Sequence, residues 1–416
     1  MLNKDLSSGN QNFSETPSLW EFVRLNDYRL PKVSGASAAR LKWVSFKRFF
    51  LRLETEELAP LKKESELQPL SQEHLDRVVK EIDWGRAVDA FDRAIDKEEW
   101  ISTADNSVKF VVGPPYSGHC RMLTAWASRH GAHVVAPPSL EQILGSCSAW
   151  FKDWPEPGRL WVLPHLESCY LRHAQGLKLM RRLFEMVLRG ELGNGVIGCD
   201  SWAWIYLQRI WPLPEWDVLT VQGFDGARLS RLFFHLAVDN EGESVLFRNA
   251  GNGKIIALEA SDAEHEISPE LSQLAVYCRG NVGLARMYWR ERLKAEPESE
   301  RQHGKSEQEQ NPPRLAQDAA ERCVWVADMP KEPVLPSEKA EDMAFIMHVL
   351  LLHNGLPEAV LTQLLPLPHH RIMSLLLRLK DMGIVALRHD YWQITPLGYI
   401  SVRDYLRSRD YMLDAF

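Results

Sequence analysis

At 416 residues, with 45% of them apolar and fifteen tryptophans, the chain is long enough for two or three domains with real cores. A formal charge of −7 argues against a protein that coats nucleic acid generally, although one basic face is compatible with it. Six cysteines (120, 147, 169, 199, 278 and 323) sit far apart without a C-x-x-C pair, which is neither a disulfide framework nor a zinc pattern, and no apolar run approaches the ~20 residues of a membrane span. A soluble, cytoplasmic protein is expected.

In chain order, residues 1–17 are polar, lack the apolar core of a signal peptide and read as a disordered tail. Residues 18–79 are expected to form a helical extension. Within it, Leu41 to Leu53 (LKWVSFKRFFLRL) would make an amphipathic helix with Lys and Arg on one side. The plain reading is a helix docked on the next domain; a partner, membrane-surface or RNA contact is the alternative. Ser71 reads as the N-cap of a helix, and Ile82 to Phe91 as a short helix leading into a strand.

Val108 to Val112 is that strand, and it runs into Gly113-Pro114-Pro115-Tyr116-Ser117-Gly118 before a helix-prone segment, Arg121 to Arg129. Strand, Gly-x-x-x-x-Gly turn and helix are the layout of a phosphate-binding loop. The glycines let successive N–H groups converge on one spot, and the new helix adds its positive N-terminal end. A strong ATPase loop continues with Lys and then Ser or Thr, but here His119 and Cys120 follow. A neutral imidazole clamps phosphate less well than an ammonium, and a thiol is a soft ligand ill suited to Mg²⁺.

Beyond the loop, strand-like segments at 132–135, 159–163, 195–198 and 216–221 alternate with helices at 140–150 and 175–188. The expected fold class is α/β, a parallel sheet covered on both faces, with its strand ends gathered along one ligand-binding edge. Residues 80–224 make this core. Residues 225–295 read as a helical lid with a hairpin insertion about Asn249 to Gly253 and helices at 269–278 and 282–296. Residues 296–336 read as a polar linker. In 337–416, helices at 341–353, 356–365 and 369–382, two strands about Arg388-His389-Asp390 and a last helix are laid out as a winged helix-turn-helix.

This arrangement resembles the AAA+ and STAND-type P-loop NTPases, in the subgroup with a winged helix after the helical lid. The resemblance implies that Gly113 and Gly118 are the loop glycines, and that the amides of Tyr116, Ser117, Gly118, His119 and Cys120 cradle a weakly bound ATP or ADP. The Walker lysine falls on His119, the Mg²⁺ hydroxyl on Cys120 and the Walker B acid on Pro164, with Glu167 as the nearest catalytic carboxylate. Asp200 and Ser201 fall at the polar sensor, and Arg286 is the nearest substitute for the lid's sensor arginine. Three losses in one machine imply that Mg²⁺ is poorly held and that hydrolysis is very slow or absent. The implied role is regulatory or scaffolding and nucleotide-responsive, passing state through lid and wing to a protein partner, with an oligomer compatible. A slow ATPase using His119 and Glu167 is an alternative.

Plainer readings stand beside these. His119 would cap a helix or face solvent, Cys120 would pack in a core, Asp200 and Ser201 would N-cap a helix, and Glu167 would be a solvated loop charge. In a winged helix the third helix enters the major groove, which would aim His369, His370, Arg371, Ser374, Arg378 and Lys380 at DNA. Residues 337–416 carry eight Lys and Arg against nine acids, however, and Leu375-Leu376-Leu377 makes that helix apolar. Docking to protein is the first reading there, and a DNA-binding regulator the alternative.

Overall fold

The computed structural model describes residues 18–32, 66–102, 107–145, 147–156, 158–211, 216–237, 245–258, 267–296, 323–336 and 341–416. The expected tail at 1–17, the amphipathic helix at 41–53 and most of the polar linker lie outside these residues.

Strands are numbered in chain order. The central sheet holds β1 (Phe22–Arg24), β3 (Val108–Gly113), β4 (His133–Val134), β5 (Trp161–Leu163), β6 (Gly195–Asp200) and β7 (Val218–Val221), in the order β1-β7-β3-β6-β5-β4. From β7 to β4 every pairing is parallel. β3 lies inside the sheet because its second half is apolar: Phe110, Val111 and Val112 are at most 1% exposed. Its alternation divides the core into two layers. Val111 packs with Val88, Phe91, Leu123 and Trp126 of the helices Gly85–Ala94 and His119–His130. Phe110 and Val112 pack on the opposite layer with Leu183, Phe184, Ala203 and Trp204 of the helices Lys178–Leu188 and Ser201–Ile210. Burying a Val or Phe side chain contributes about 1.5–3 kcal/mol, so this double cover fixes the strand that carries the loop.

The expected parallel sheet is present, with one strand added at its edge. That strand, β1, pairs antiparallel with β7, Phe22 opposite Val221. The described start of the 18–79 extension is therefore a strand, too short at three residues to show a pattern in sequence.

A second sheet has the order β2 (Gln68–Pro69), β10 (Leu293–Ala295), β11 (Cys323–Val326), β8 (Leu246–Asn249) and β9 (Ile255–Ile256). β8 and β9 form the expected hairpin, with Phe247 opposite Ile256. The helix expected over 282–296 stops at Arg292, where Leu293 turns extended to enter β10. β11 falls within the segment expected as linker; Val324, Trp325 and Val326 are buried beside β8.

The C-terminal region is built from the helices Glu341–Leu352, Glu358–Leu364 and His369–Asp381 and a small sheet of β12 (Leu356–Pro357), β14 (Tyr391–Ile394) and β13 (Val385–Arg388). Three helices and a hairpin thus follow one another in the expected order. The hairpin tip has His389 and Asp390 both at positive φ, 49° and 66°, as a tight two-residue turn requires. Thr395 then caps the last helix, Pro396–Arg407, by accepting from the Gly398 amide. No helix among the described residues is long and apolar enough to cross a membrane.

Candidate functional site

The loop leaves β3 at Gly113, and Gly118 stands at φ 85° as the N-cap of the helix His119–His130. Tyr116, also at positive φ (69°), takes a conformation that glycine adopts more readily. The parallel register sets Gly113 beside Asp200 at the end of β6, bringing the loop to the fourth strand's end. His119 turns inward and is 3% exposed. Its Nδ1 lies 2.8 Å from the Ser117 hydroxyl and its Nε2 3.6 Å from Asp200 Oδ1, beyond hydrogen-bond range. A Cβ at Gly113 would fall 2.6 Å from Ser117 Oγ and 2.7 Å from His119 Nδ1, so only glycine leaves room for these two side chains.

Glu167, in the short turn after β5, is fully buried. One oxygen lies 2.9 Å from His165 Nδ1, and the other accepts the Asp200 amide at 3.1 Å. The Cys120 thiol donates to the Pro164 carbonyl at 3.1 Å. The structure thus brings His119, Cys120, Glu167 and Asp200 to one place. Glu167 is no solvated loop charge, His119 neither caps the helix nor faces solvent, and the Asp200 side chain makes no capping bond.

Burial sets the charges here. It lowers the His119 pKa to about 4, against the pull of Glu167, so the imidazole is neutral. Burial, then the charges of Glu167 and Asp414, raises Asp200 well above the usual carboxylate range. Burial also raises the Cys120 thiol. Burial opposes charge on His165 and Glu167 too, but their mutual hydrogen bond and attraction win: His165 is raised and Glu167 lowered. The result is an ion pair between the half-exposed His165 and the buried Glu167, beside a neutral imidazole. Among the described residues, His119 Nε2 and Asp200 Oδ2 are buried without a hydrogen-bond partner.

The rest of the chain closes over the loop. From the lid, Asn281 donates its amide to the Pro115 carbonyl at 2.8 Å while its oxygen caps the helix Val282–Arg292. Gly283 packs so closely on the Tyr116 carbonyl that a Cβ there would collide with it. Trp84 lies over Gly118, again where a Cβ would stand. From the C-terminal region, the Ile394 carbonyl accepts the Tyr116 hydroxyl, and the Tyr399 ring meets Tyr116 edge-on at 5.9 Å. Tyr399 Oη also accepts the Trp202 indole N–H at 3.0 Å. Ser201 donates to Asp414, which lies 3.5 Å from Arg403.

Arg286 is not at the loop. It donates to the carbonyls of Lys80 and Val79 at 2.9 and 3.2 Å and pairs with Glu81 at 3.1 Å. On the helix His369–Asp381, Ile372, Leu375, Leu376 and Leu379 face the domain core. His370, Arg371, Ser374 and Arg378 lie exposed on its outer face, away from the loop, and Arg371 pairs with Asp342 at 3.1 Å. Sequence reasoning missed Trp84, His165, Tyr399 and Asp414. Only His165 left a signal, two residues before Glu167 on the strand-ending turn.

These residues do not fit a magnesium nucleotide. The lysine place holds a buried neutral imidazole, the hydroxyl place a thiol bonded to a carbonyl, and the lid arginine is bound elsewhere.

No family model matches the chain, and no curated protein does. Several solved structures are similar over most of it, among them the three that follow. Drosophila ORC bound to DNA is 11% identical over 88% of this chain and 99% of that one, with a TM-score of 0.37. The RuvB Holliday junction branch migration motor of Thermotoga maritima is 11% identical over 85% and 98%, at 0.30. Cdc6p of Pyrobaculum aerophilum is 12% identical over 82% and 99%, at 0.31. At such scores the fold rests on the strand order and registers above.

Proposed function

We propose that the chain is a regulatory or scaffolding protein on an AAA+-like P-loop core that does not hydrolyse nucleotide. One observation carries this reading: lid and wing bond to the loop itself, through Asn281 to the Pro115 carbonyl and through the Tyr116 hydroxyl to Ile394. A loop that serves as the joint between three parts of the chain transmits the position of each to the others without turning over a substrate. The loss of lysine, magnesium hydroxyl and Walker B acid supports the same reading, because phosphoryl transfer depends on charge neutralisation that this site lacks.

The partner surface is the outer face of the winged-helix region. Leu377, Leu387 and Tyr391 are 51%, 48% and 45% exposed there, beside His370, Ser374 and Arg378. Exposed apolar side chains, in a region whose eight Lys and Arg are matched by nine acids, suit a protein partner better than a phosphate backbone. Turnover of ATP by the full chain with Mg²⁺ is the test of the non-hydrolytic reading. It should not exceed buffer alone; turnover that Glu167→Gln abolishes would establish a working, unorthodox ATPase instead.

A further inference from the structure

The Cys120 sulfur, a His165 nitrogen and a Glu167 carboxylate oxygen lie within 4.8 Å of one another. We propose that this trio is a binding site for a borderline-soft divalent transition metal of the zinc type, built in the corner where an intact P-loop would hold magnesium. The three residues come from two elements, the first turn of the helix His119–His130 and the turn after β5, so a bound ion would tie the loop helix to β5.

The donor chemistry selects the metal. Thiolate, imidazole and carboxylate are the zinc donor set, whereas Mg²⁺ demands hard oxygen in octahedral array. The charges close as well. A thiolate, a carboxylate and a neutral imidazole balance a divalent cation, so the Cys120 thiol and the His165 imidazolium each give up a proton on binding, and the His165–Glu167 hydrogen bond is exchanged for bonds to the ion.

In a tetrahedral site, zinc bonds of about 2.3 Å to sulfur and about 2.0–2.1 Å to nitrogen or oxygen set the donors roughly 3.3–3.6 Å apart, so the trio has to draw in by about 1 Å. His165, whose side chain is 43% exposed, can swing to close that gap and gives the ion a way in from solvent. Glu167 is already oriented by the Asp200 amide on its other oxygen, the kind of outer contact that steadies a ligating carboxylate. Three protein ligands leave a coordination position open, as in zinc sites that accept an exogenous ligand. The proposal stands on this geometry and not on the regulatory reading above.

The test loads metal-stripped full-length protein with Co²⁺ and Zn²⁺. Expected are one ion per chain, a sulfur-to-cobalt charge-transfer band in the near ultraviolet, a raised melting temperature with Zn²⁺, and no competition from millimolar Mg²⁺. Cys120→Ser should remove the band, and His165→Gln, at a partly exposed position that leaves the core intact, should remove both band and thermal shift. Cys278→Ser, remote from the site, should keep them. Absence of bound cobalt in the wild type, or a band that survives Cys120→Ser or His165→Gln, would overturn the site.

Discussion

At the scale of the residue, the site turns on which groups carry charge. Glu167 is ionised although buried because His165 is its partner at 2.9 Å, and the same contact raises the imidazole pKa. Glu167→Gln removes the charge and the better acceptor together, so the His165 pKa should fall. An NMR titration of the ring protons would read this, and an unchanged His165 pKa would mean the pair does not form. His119 and Asp200 show what sequence does and does not reveal. Their residue types, and their places at a loop and a strand end, could be read directly. The direction in which burial moves their pKa values could not, because that burial comes from segments far along the chain. His119 as a missing lysine was legible; His119 as a neutral group wedged against Gly113 was not.

At the scale of the element, the strand–loop–helix unit was legible because its signals are local: an apolar run, two glycines and a helix that follows. The contacts that close it are not local. Tyr116 and Ile394 are 278 residues apart, and nothing in either segment announces the other. The short strands β1, β10 and β11 escaped for a different reason: three or four residues show no usable alternation, and their extended conformation is fixed by the strands they pair with. Tyr116→Phe keeps the ring and loses only the hydroxyl. It should cost about 1 kcal/mol and raise amide exchange in β14 and the helix Pro396–Arg407 while leaving β3 and β6 protected. Equal loss of protection throughout the chain would show that loop and wing are not a separable joint.

At the scale of the molecule, the seam between core and C-terminal region holds buried histidines. His348 packs on Trp202 and Tyr411, and His353 on Tyr170, whose hydroxyl donates to the Leu352 carbonyl at 3.0 Å. Burial and the nearby Arg172 lower both to about 4, as burial does His119. A histidine whose folded pKa lies below its unfolded value leaves the folded state with fewer protons as acid is added. Stability is then lost as pH falls from about 6.5 towards 4, at about 1.4 kcal/mol per pH unit and group. Three such groups together would remove ~4 kcal/mol per unit, a large part of a typical domain's stability. The ion pair shifts oppositely at its two ends: the Glu167 contribution is lost as pH falls through its lowered pKa, and that of His165 as pH rises through its raised one. Melting temperature followed from pH 7.5 to 4.5 should therefore drop steeply below about 6.5. A flat profile down to pH 5 would contradict the neutral-histidine seam.

The most direct measurement of the central claim is nucleotide binding, with ATP and ADP titrated with and without Mg²⁺ into the wild type and into Gly118→Asp. A loop already engaged by Asn281, Gly283, Trp84 and Ile394, with no cation at the lysine place, predicts no saturable binding at millimolar nucleotide in either protein. Saturable binding to the wild type that Gly118→Asp removes would show that the loop still holds phosphate, and would contradict the account.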